Sequence, residues 1–409
     1  MSFSRRSVSH ASLLFSFLIL AAAAPAGTQG ELIARCGQGY LEKVDGHLVL
    51  HVKGTPYEMG YQHGTLLKDR IKSMVHYIFE VKGQDDRLEF AGVKLKPKEL
   101  VKAINAHQQS YIPDRFKEEM QGIADATGIP VADVYAANGI PELFHCSGFA
   151  LLAETTVDKT VLHGRVLDYA VDWKLQEHPV AMIGEPDGRI PFINVTYAGF
   201  IGSVTGMNQE TVSLGEMGGA GMFLWQGTPM AFLMRRGLEE ARNLDDAIAI
   251  FRDSKRTCEY YYVFGDGKNN RAVGVDGSAD RFELIPAGVK HARLPTPVPN
   301  TVLLSAGDRY KSLCGLVEKV RAKDGKFTVE QAIRLMDAPV AMKSNLHNVL
   351  MAPSLGKLWV AHATPDKQPA WKQKYHALDF KALLAQDRPS TGGTEYPPPP
   401  RKPVQAAAR

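Results

Sequence analysis

Cys146, Arg165 and Asp168 are the residues of this chain whose types and spacing point to chemistry. The stretch FHCSGFALLAETTVDKTVLHGRVLDYAVDW, residues 144–173, sets a lone cysteine at the head of one predicted strand. The next predicted strand carries an arginine and an aspartate three residues apart. A thiol reacts as its thiolate and needs help to lose a proton at neutral pH. His145 is adjacent, but neighbours on a strand face opposite sides, which places it badly as a base. A cut between His145 and Cys146 would supply another base. The new α-amino group sits on the same residue as the thiol, and its ordinary pKa of about 7.7–8.0 is close to working pH. An aspartate near that amine would hold it, and an arginine near the sulfur would favour the thiolate. The bland alternatives are a buried free cysteine and a structural ion pair.

The elements that must position these residues change character at Cys146. YLEKVDGHLVLHVKG alternates apolar and polar residues and predicts a hairpin. From about Tyr57 the apolar residues recur at helical spacing, predicting one long helix. Gly60 and Gly64 lie four apart on one face of it and would allow close backbone approach. Three more helices are predicted before residue 145, one of them ended by Gly128. From Cys146 onward, short β-branched runs predict sequential antiparallel strands. Two helices follow over residues 228–254, then a second group of strands, then a helix over TVEQAIRLMDAP. HNVLMAPSLGKLWVAHA predicts a closing hairpin turned at Pro353–Gly356. Helices and strands in separate runs predict an α+β fold with helices packed on stacked sheets. GEMGGAGMFLWQGTPM predicts a loop lining an apolar pocket. Residues 386–409 are proline-rich and are expected to be disordered.

The chain has 409 residues, 44% of them hydrophobic and 22% charged, a globular composition. The formal net charge of +4 comes from 48 basic and 44 acidic residues, with no basic stripe, which argues against nucleic acid as a partner. Residues 1–30 combine Arg5 and Arg6, an apolar run and small residues, the pattern of a signal peptide, so export is expected. No later segment is long and apolar enough to cross a bilayer. Export would permit disulfides, and Cys258 with Cys314 is one pairing the sequence leaves open; Cys36 is the fourth cysteine. No His/Asp/Glu cluster has metal-ligand spacing, and no phosphate-loop or nucleophile-elbow motif is present. No metal or cofactor is therefore expected. His163 and His347 are expected to be hydrogen-bonded strand histidines.

CSGF followed by TTVDKTVLHGRVLDY resembles the cysteine type of N-terminal-nucleophile (Ntn) hydrolases. That group includes bile salt hydrolase, penicillin V acylase, acid ceramidase and, with the strongest resemblance, acyl-CoA:6-aminopenicillanate acyltransferase. Cys146, Arg165 and Asp168 fall on its Cys…G-R-x-L-D-[YW] spacing. KGTPYEMGYQHGTLL resembles the acyltransferase-like branch at its N-terminal segment. GMNQETVSL resembles a strand turn of the group, with Thr211 where glycine is usual, and LHNVLMAPSLGKLWVA resembles its last hairpin, with Asn348 on the asparagine. The resemblance covers roughly residues 40–365.

The resemblance implies an αββα sandwich of two antiparallel sheets between helical layers. It implies a precursor cut before Cys146 into a mostly helical segment, 31–145, and a catalytic segment, 146–385. It further implies hydrolysis or transfer of an acyl group from a linear amide through an acyl-thioester on Cys146. The substrate would be a small acyl-amide. The tetrahedral oxyanion would be held by amide groups. Relatives often carry asparagine where this chain has Tyr261, so Asn208, Tyr261 and Asn348 are the candidates for oxyanion or substrate contact. Two rival readings are an unprocessed acyl- or amide-binding protein of the same fold and a ceramidase-type lipid amidase.

Overall fold

In the computed structural model the described residues are 30–84, 89–90, 93–94, 96–140, 145–169, 171–219, 224–292 and 294–400. The expected signal segment, apart from Gly30, lies outside them. The chain begins with strands β1 (Glu31–Cys36), β2 (Gly39–Val44) and β3 (His47–Gly54), then helices α1 (Pro56–Leu66) and α2 (Lys68–His76). Short strands β4 (Glu89–Phe90) and β5 (Val93–Lys94) precede helices α3 (Pro97–Gln108), α4 (Asp114–Thr127) and α5 (Val131–Asn138). Strands β6 (His145–Leu151), β7 (Leu162–Asp168), β8 (Pro179–Pro186), β9 (Phe192–Tyr197), β10 (Thr205–Asn208) and β11 (Val212–Gly218) follow. Helices α6 (Met230–Glu240) and α7 (Leu244–Arg252) lead into β12 (Glu259–Asp266), β13 (Arg271–Ser278), β14 (Phe282–Pro286) and β15 (Thr301–Leu304). The last elements are α8 (Gly307–Asp324), α9 (Val329–Arg334), β16 (Asn345–Ala352), β17 (Lys357–His362), β18 (His376–Asp379), α10 (Phe380–Ala385) and β19 (Thr394–Tyr396).

Among the described residues the strands form two large sheets. One has eleven strands in the order β14-β13-β12-β11-β10-β9-β8-β3-β2-β1-β19, and the other six in the order β15-β6-β7-β16-β17-β18. Their facing sides share an apolar core in which Ile183, Ile193 and Met207 of the larger sheet pack with Val349, Met351 and Val360 of the smaller. Central strands such as β9 and β16 are buried along their whole length, because the outer faces are covered as well. Helices α1, α6 and α7 cover the large sheet, and α8 and α9 the small one. This is the expected αββα sandwich.

Two pairings depart from the expected antiparallel order. β3 runs parallel to β8, and β1 runs parallel to β19. The segment before Cys146 therefore contributes three strands to the large sheet as well as its helices. The second parallel pair corrects the expectation of a disordered tail over residues 386–409. Through residue 400 the tail is placed along the β1 edge, where Arg35 Nε meets Glu395 at 2.9 Å and donates from Nη1 to the carbonyls of Pro389 and Ser390. An uncovered strand edge exposes unpaired backbone groups, and this strand satisfies them. Residues 401–409 lie outside the described part.

The expected long helix is broken at Leu67 into α1 and α2. Its start is fixed by a capping box, with Thr55 accepting from the Glu58 backbone and Glu58 reaching back to the Thr55 N–H, and by Pro56 in the first turn. The close approach read from Gly60 and Gly64 is real, and its partner is α4. A Cβ on Gly60 would lie 1.8 Å from the Glu119 carbonyl oxygen, and one on Gly122 would lie 2.3 Å from that of Tyr57. α4 is in turn tied to α6 by buried charge: Arg235 reaches Glu119 at 3.1 Å and Glu239 at 3.0 Å. Burial pushes the Glu119 carboxyl up to about 7, against the pull of Arg235. α6 packs on β10 and β11, so this chain of contacts reaches the strand that carries Glu216. All four cysteines are free thiols, including Cys258 and Cys314.

Replacing Gly60 with alanine should cost about 3 kcal/mol or more of stability, since backbone lies on both sides of the contact; chemical denaturation measures it. Because the folded pKa of Glu119 is raised, its contribution favours the fold below about pH 4.5 and is lost as pH climbs through about 7. Glu119→Gln should therefore flatten the fall in Tm between pH 5 and pH 8 that the wild type shows.

Candidate functional site

The strand register builds the site. In the β6–β7 pair Cys146 faces Leu167 and Gly148 faces Arg165. Alternation along each strand turns Cys146 and Arg165 to one side, toward the large sheet. There Arg165 is fully buried. Its Nη2 donates to Cys146 Sγ at 2.9 Å and to Glu216 Oε2 at 3.2 Å, while its Nε donates to the Glu216 carbonyl at 3.1 Å. Gly148 leaves room for the opposite sheet, since a Cβ there would stand 2.9 Å from Met217 Sδ.

Asp168 lies at the end of β7, opposite His145, the residue before the expected cut. One carboxylate oxygen accepts from the Met342 N–H at 3.0 Å, and the other is paired with Arg309. Arg309 also donates from Nη2 to the Cys146 carbonyl at 3.3 Å. This arginine enters from the first turn of α8, whose start at Gly307 takes a left-handed φ of 55° that glycine tolerates without strain.

The charges at Cys146 oppose one another. Burial pushes its thiol up to about 12; Arg165 pulls it down, and the carboxylates of Glu216 and Asp168 push it further up. The Asp168 N–H, directed at the sulfur, pulls it down. In the continuous chain the sulfur is thus a thiol. Among the described residues no histidine hydrogen-bonds it. Asp168 is itself raised by burial, against the Met342 N–H and Arg309.

Cys146 opens onto a cavity of about 470 Å³. Met217, Leu294, Leu304 and Tyr310 give it apolar walls, and Arg309, Glu259 and Tyr261 give it polar ones. The glycine-rich stretch expected to line a pocket contributes Met217, Gly218 and Gly219; residues 220–223 lie outside the described part.

Of the three oxyanion candidates, only Tyr261 lines this cavity, with its hydroxyl donating to Glu259 at 2.9 Å. Asn208 is spent on structure: its amide donates to the carbonyls of Leu238 and Ala241, and its oxygen accepts from the Val212 N–H at 3.0 Å. That closes the β10–β11 turn onto the end of α6. Asn348 faces away from Arg165 on β16, donating to the Met336 carbonyl at 3.0 Å and the Tyr375 hydroxyl at 2.8 Å. Neither asparagine is at the cavity. Asn345, three residues earlier, lies opposite Asp168 and hydrogen-bonds the Leu167 carbonyl at 3.1 Å.

Sequence reasoning missed Glu216 and Arg309. Glu216 is a charged residue in a strand that is otherwise buried, the one local sign it offers. Arg309 carries no local sign at all. His163 and His347 are hydrogen-bonded as expected, to Ser213 at 2.9 Å and to Tyr197 and Thr205 at 3.1 and 3.0 Å. Among the described residues one group, Asp276, Glu283 and His291, has metal-ligand spacing. Arg281 already holds Asp276 at 2.6 Å, which does not fit a cation there.

Proteins similar in sequence to this chain include an acid ceramidase and an N-acylethanolamine-hydrolyzing acid amidase. The chain is 27% identical over 273 residues to protein dcd1B of Dictyostelium discoideum, covering 61% of this chain and 54% of that one. It is 26% identical over 212 residues to acid ceramidase of Rattus norvegicus, covering 44% and 52%. Among solved structures, the N-acylethanolamine-hydrolyzing acid amidase ortholog of Caenorhabditis elegans matches with a TM-score of 0.40 and 17% identity, over 57% of this chain and all of that one. No family model matches the chain. The aligned region spans less than two thirds of the length of these curated relatives.

The opposing charges make a directional expectation. Arg165→Met should raise the pH midpoint for iodoacetamide labelling of Cys146, and Glu216→Gln should lower it, each by about one pH unit or more. Mass spectrometry of the labelled peptide across pH reads both.

Proposed function

We propose that this chain is an exported, self-processing cysteine amidohydrolase that cleaves a linear amide through an acyl-thioester on Cys146. The observation that carries the proposal is the contact of a fully buried guanidinium with a buried thiol at the wall of an apolar cavity. Similarity to an acid ceramidase supports amide cleavage as the reaction. The signal-peptide pattern of residues 1–30 supports export.

In processing, Cys146 Sγ adds to the carbonyl carbon of His145. The Cys146 nitrogen takes the thiol proton and leaves as an amine, and water then hydrolyses the new thioester. The free α-amine remains on Cys146 beside its own sulfur, where it supplies the base that a thiol held near 12 lacks. In turnover that amine accepts the thiol proton as Sγ attacks the substrate carbonyl. It then passes the proton to the departing amine. Water adds to the acyl-thioester, giving a proton to the same amine, and the sulfur leaves to regain it. Arg165 stabilises the sulfur's negative charge, and Asp168 with Arg309 fixes the Cys146 main chain. Tyr261 is the oxyanion candidate that the cavity wall supports. The unprocessed binding protein is the rival that the same measurement decides.

On a denaturing gel the purified protein should run as two fragments, the larger beginning at Cys146 by N-terminal sequencing. Cys146→Ala should run as one chain and lose at least about 10³-fold in amide hydrolysis. An intact wild-type chain that still hydrolyses amides would falsify the mechanism; an intact chain without turnover would favour the binding protein.

A further inference from the structure

Four histidines from four strands stand in a row across the seam between the two sheets. His347 on β16 is paired with His362 on β17, and their ring centroids are 5.8 Å apart. The His362 ring lies 5.4 Å from that of His47, which opens β3 of the larger sheet. The His47 ring lies 4.6 Å from that of His376, which opens β18. The inner end of the row is fastened, because His347 is hydrogen-bonded to Tyr197 and Thr205. The outer end is held less well. His362 Nδ1 is buried without a hydrogen-bond partner among the described residues. Asp45, on the β2–β3 turn, meets His376 at 2.7 Å and Lys374 at 3.9 Å, and one carboxylate can balance only one imidazolium. The three outer rings border a cavity of about 450 Å³, through which water reaches them. Arg70 of α2 and Glu177 also line it; Arg70 donates to the Glu177 carbonyl at 2.9 Å, and the Glu177 carboxylate is paired with Lys174 at 3.5 Å. Tyr197 of β9 approaches His362 from the larger sheet, with rings 6.3 Å apart.

Packing at this end needs neutral rings. Burial, with His376 beside it, holds His47 down to about 4; burial, with His47 and His376 beside it, holds His362 well below its ordinary value. A histidine released to water returns toward about 6.5. An opened edge therefore binds protons between about pH 4 and 6.5 that the closed one does not, and the closed form loses its advantage as pH falls through that range. The element placed to open is β18. It is the last strand of the small sheet, four residues long, with β17 as its neighbour there. α10 follows it directly and packs on both strands. Leu378, Phe380 and Leu383 sit in the core between the sheets, and their burial keeps the edge closed while the rings are neutral. We infer that the three outer histidines form an acid-released latch: charging them detaches β18 and α10 from β17 and from the β2–β3 turn, while β16 stays in place. The latch is independent of the chemistry proposed for Cys146.

Hydrogen exchange of the full-length protein at about pH 7.5 and about pH 5, corrected for the intrinsic pH dependence of amide exchange, reads the opening segment by segment. Protection over β18 and α10 should fall about tenfold or more on acidification, because each histidine freed to titrate shifts the opening by up to about tenfold per pH unit below 6.5. Protection over β16 should change by less than about threefold. His47→Gln combined with His362→Gln should reduce the fall at β18 and α10 to less than about threefold. His47→Gln alone should shrink it by at least about threefold, and serves if the double variant does not fold. Each variant is compared with itself at two pH values, so a constant loss of stability cancels. Equal wild-type protection at the two pH values overturns the inference. So does a fall that survives the substitutions, or one that β16 shares equally, which is the mark of general acid unfolding.

Discussion

A guanidinium without solvent sets the terms for this structure. Arg165 is fully buried between two sheets, and a charge there is tolerated only where other groups meet it. Glu216 meets it with a carboxylate and a carbonyl, and Cys146 with a sulfur. Arg165 and these partners come from three strands in two sheets. The arrangement exists only if β6, β7 and β11 are held in one register and one stacking distance. A one-residue slip of β6 against β7 would turn Cys146 to the opposite face and leave Arg165 without its sulfur.

The rest of the fold supplies that constraint in layers. Gly148 lets the small sheet approach Met217 on β11. Behind β11, α6 is locked to α4 through Arg235, Glu119 and Glu239, and α4 lies on α1 at glycine–backbone distance. On the other side, α8 delivers Arg309 to Asp168 and to the Cys146 carbonyl, fixing the strand that carries the thiol. Buried charge appears at both levels, in the site and in its support. In each case more than one partner meets the guanidinium, which is the condition under which burial of such a group is sustained.

What the sequence made legible was local. Cys146, Arg165 and Asp168 lie within 23 residues on two adjacent strands, so their spacing survives as geometry. The hairpin turned at Pro353–Gly356 is likewise made by its own residues, with Gly356 at a left-handed φ of 65°. Gly60 announced a close contact but not its partner, because α4 lies some sixty residues away. Arg309 and Glu216 were missed for the same reason: each meets the site across long loop closures that no local pattern encodes. Asn208 and Asn348 show the converse error. Both sit where asparagine is expected, yet each uses its amide to satisfy carbonyls of its own scaffold. The parallel pairs β3–β8 and β1–β19 were invisible because they join strands more than a hundred residues apart.

The electrostatics also order the events at Cys146. With its peptide bond to His145 intact, the thiol is held up near 12 by burial, and two nearby carboxylates oppose the one guanidinium that favours ionisation. A free α-amine changes this balance in two ways. It is a base whose ordinary pKa lies several units below that thiol, and once protonated it is a second cation beside the sulfur. Both changes act in the same direction, toward a thiolate. A chain built this way would keep its sulfur unreactive toward substrates until the backbone is cut. Under the proposed processing Asp168 would gain a physical use: a carboxylate at the end of β7, opposite His145, would meet the positive charge that a cut would create.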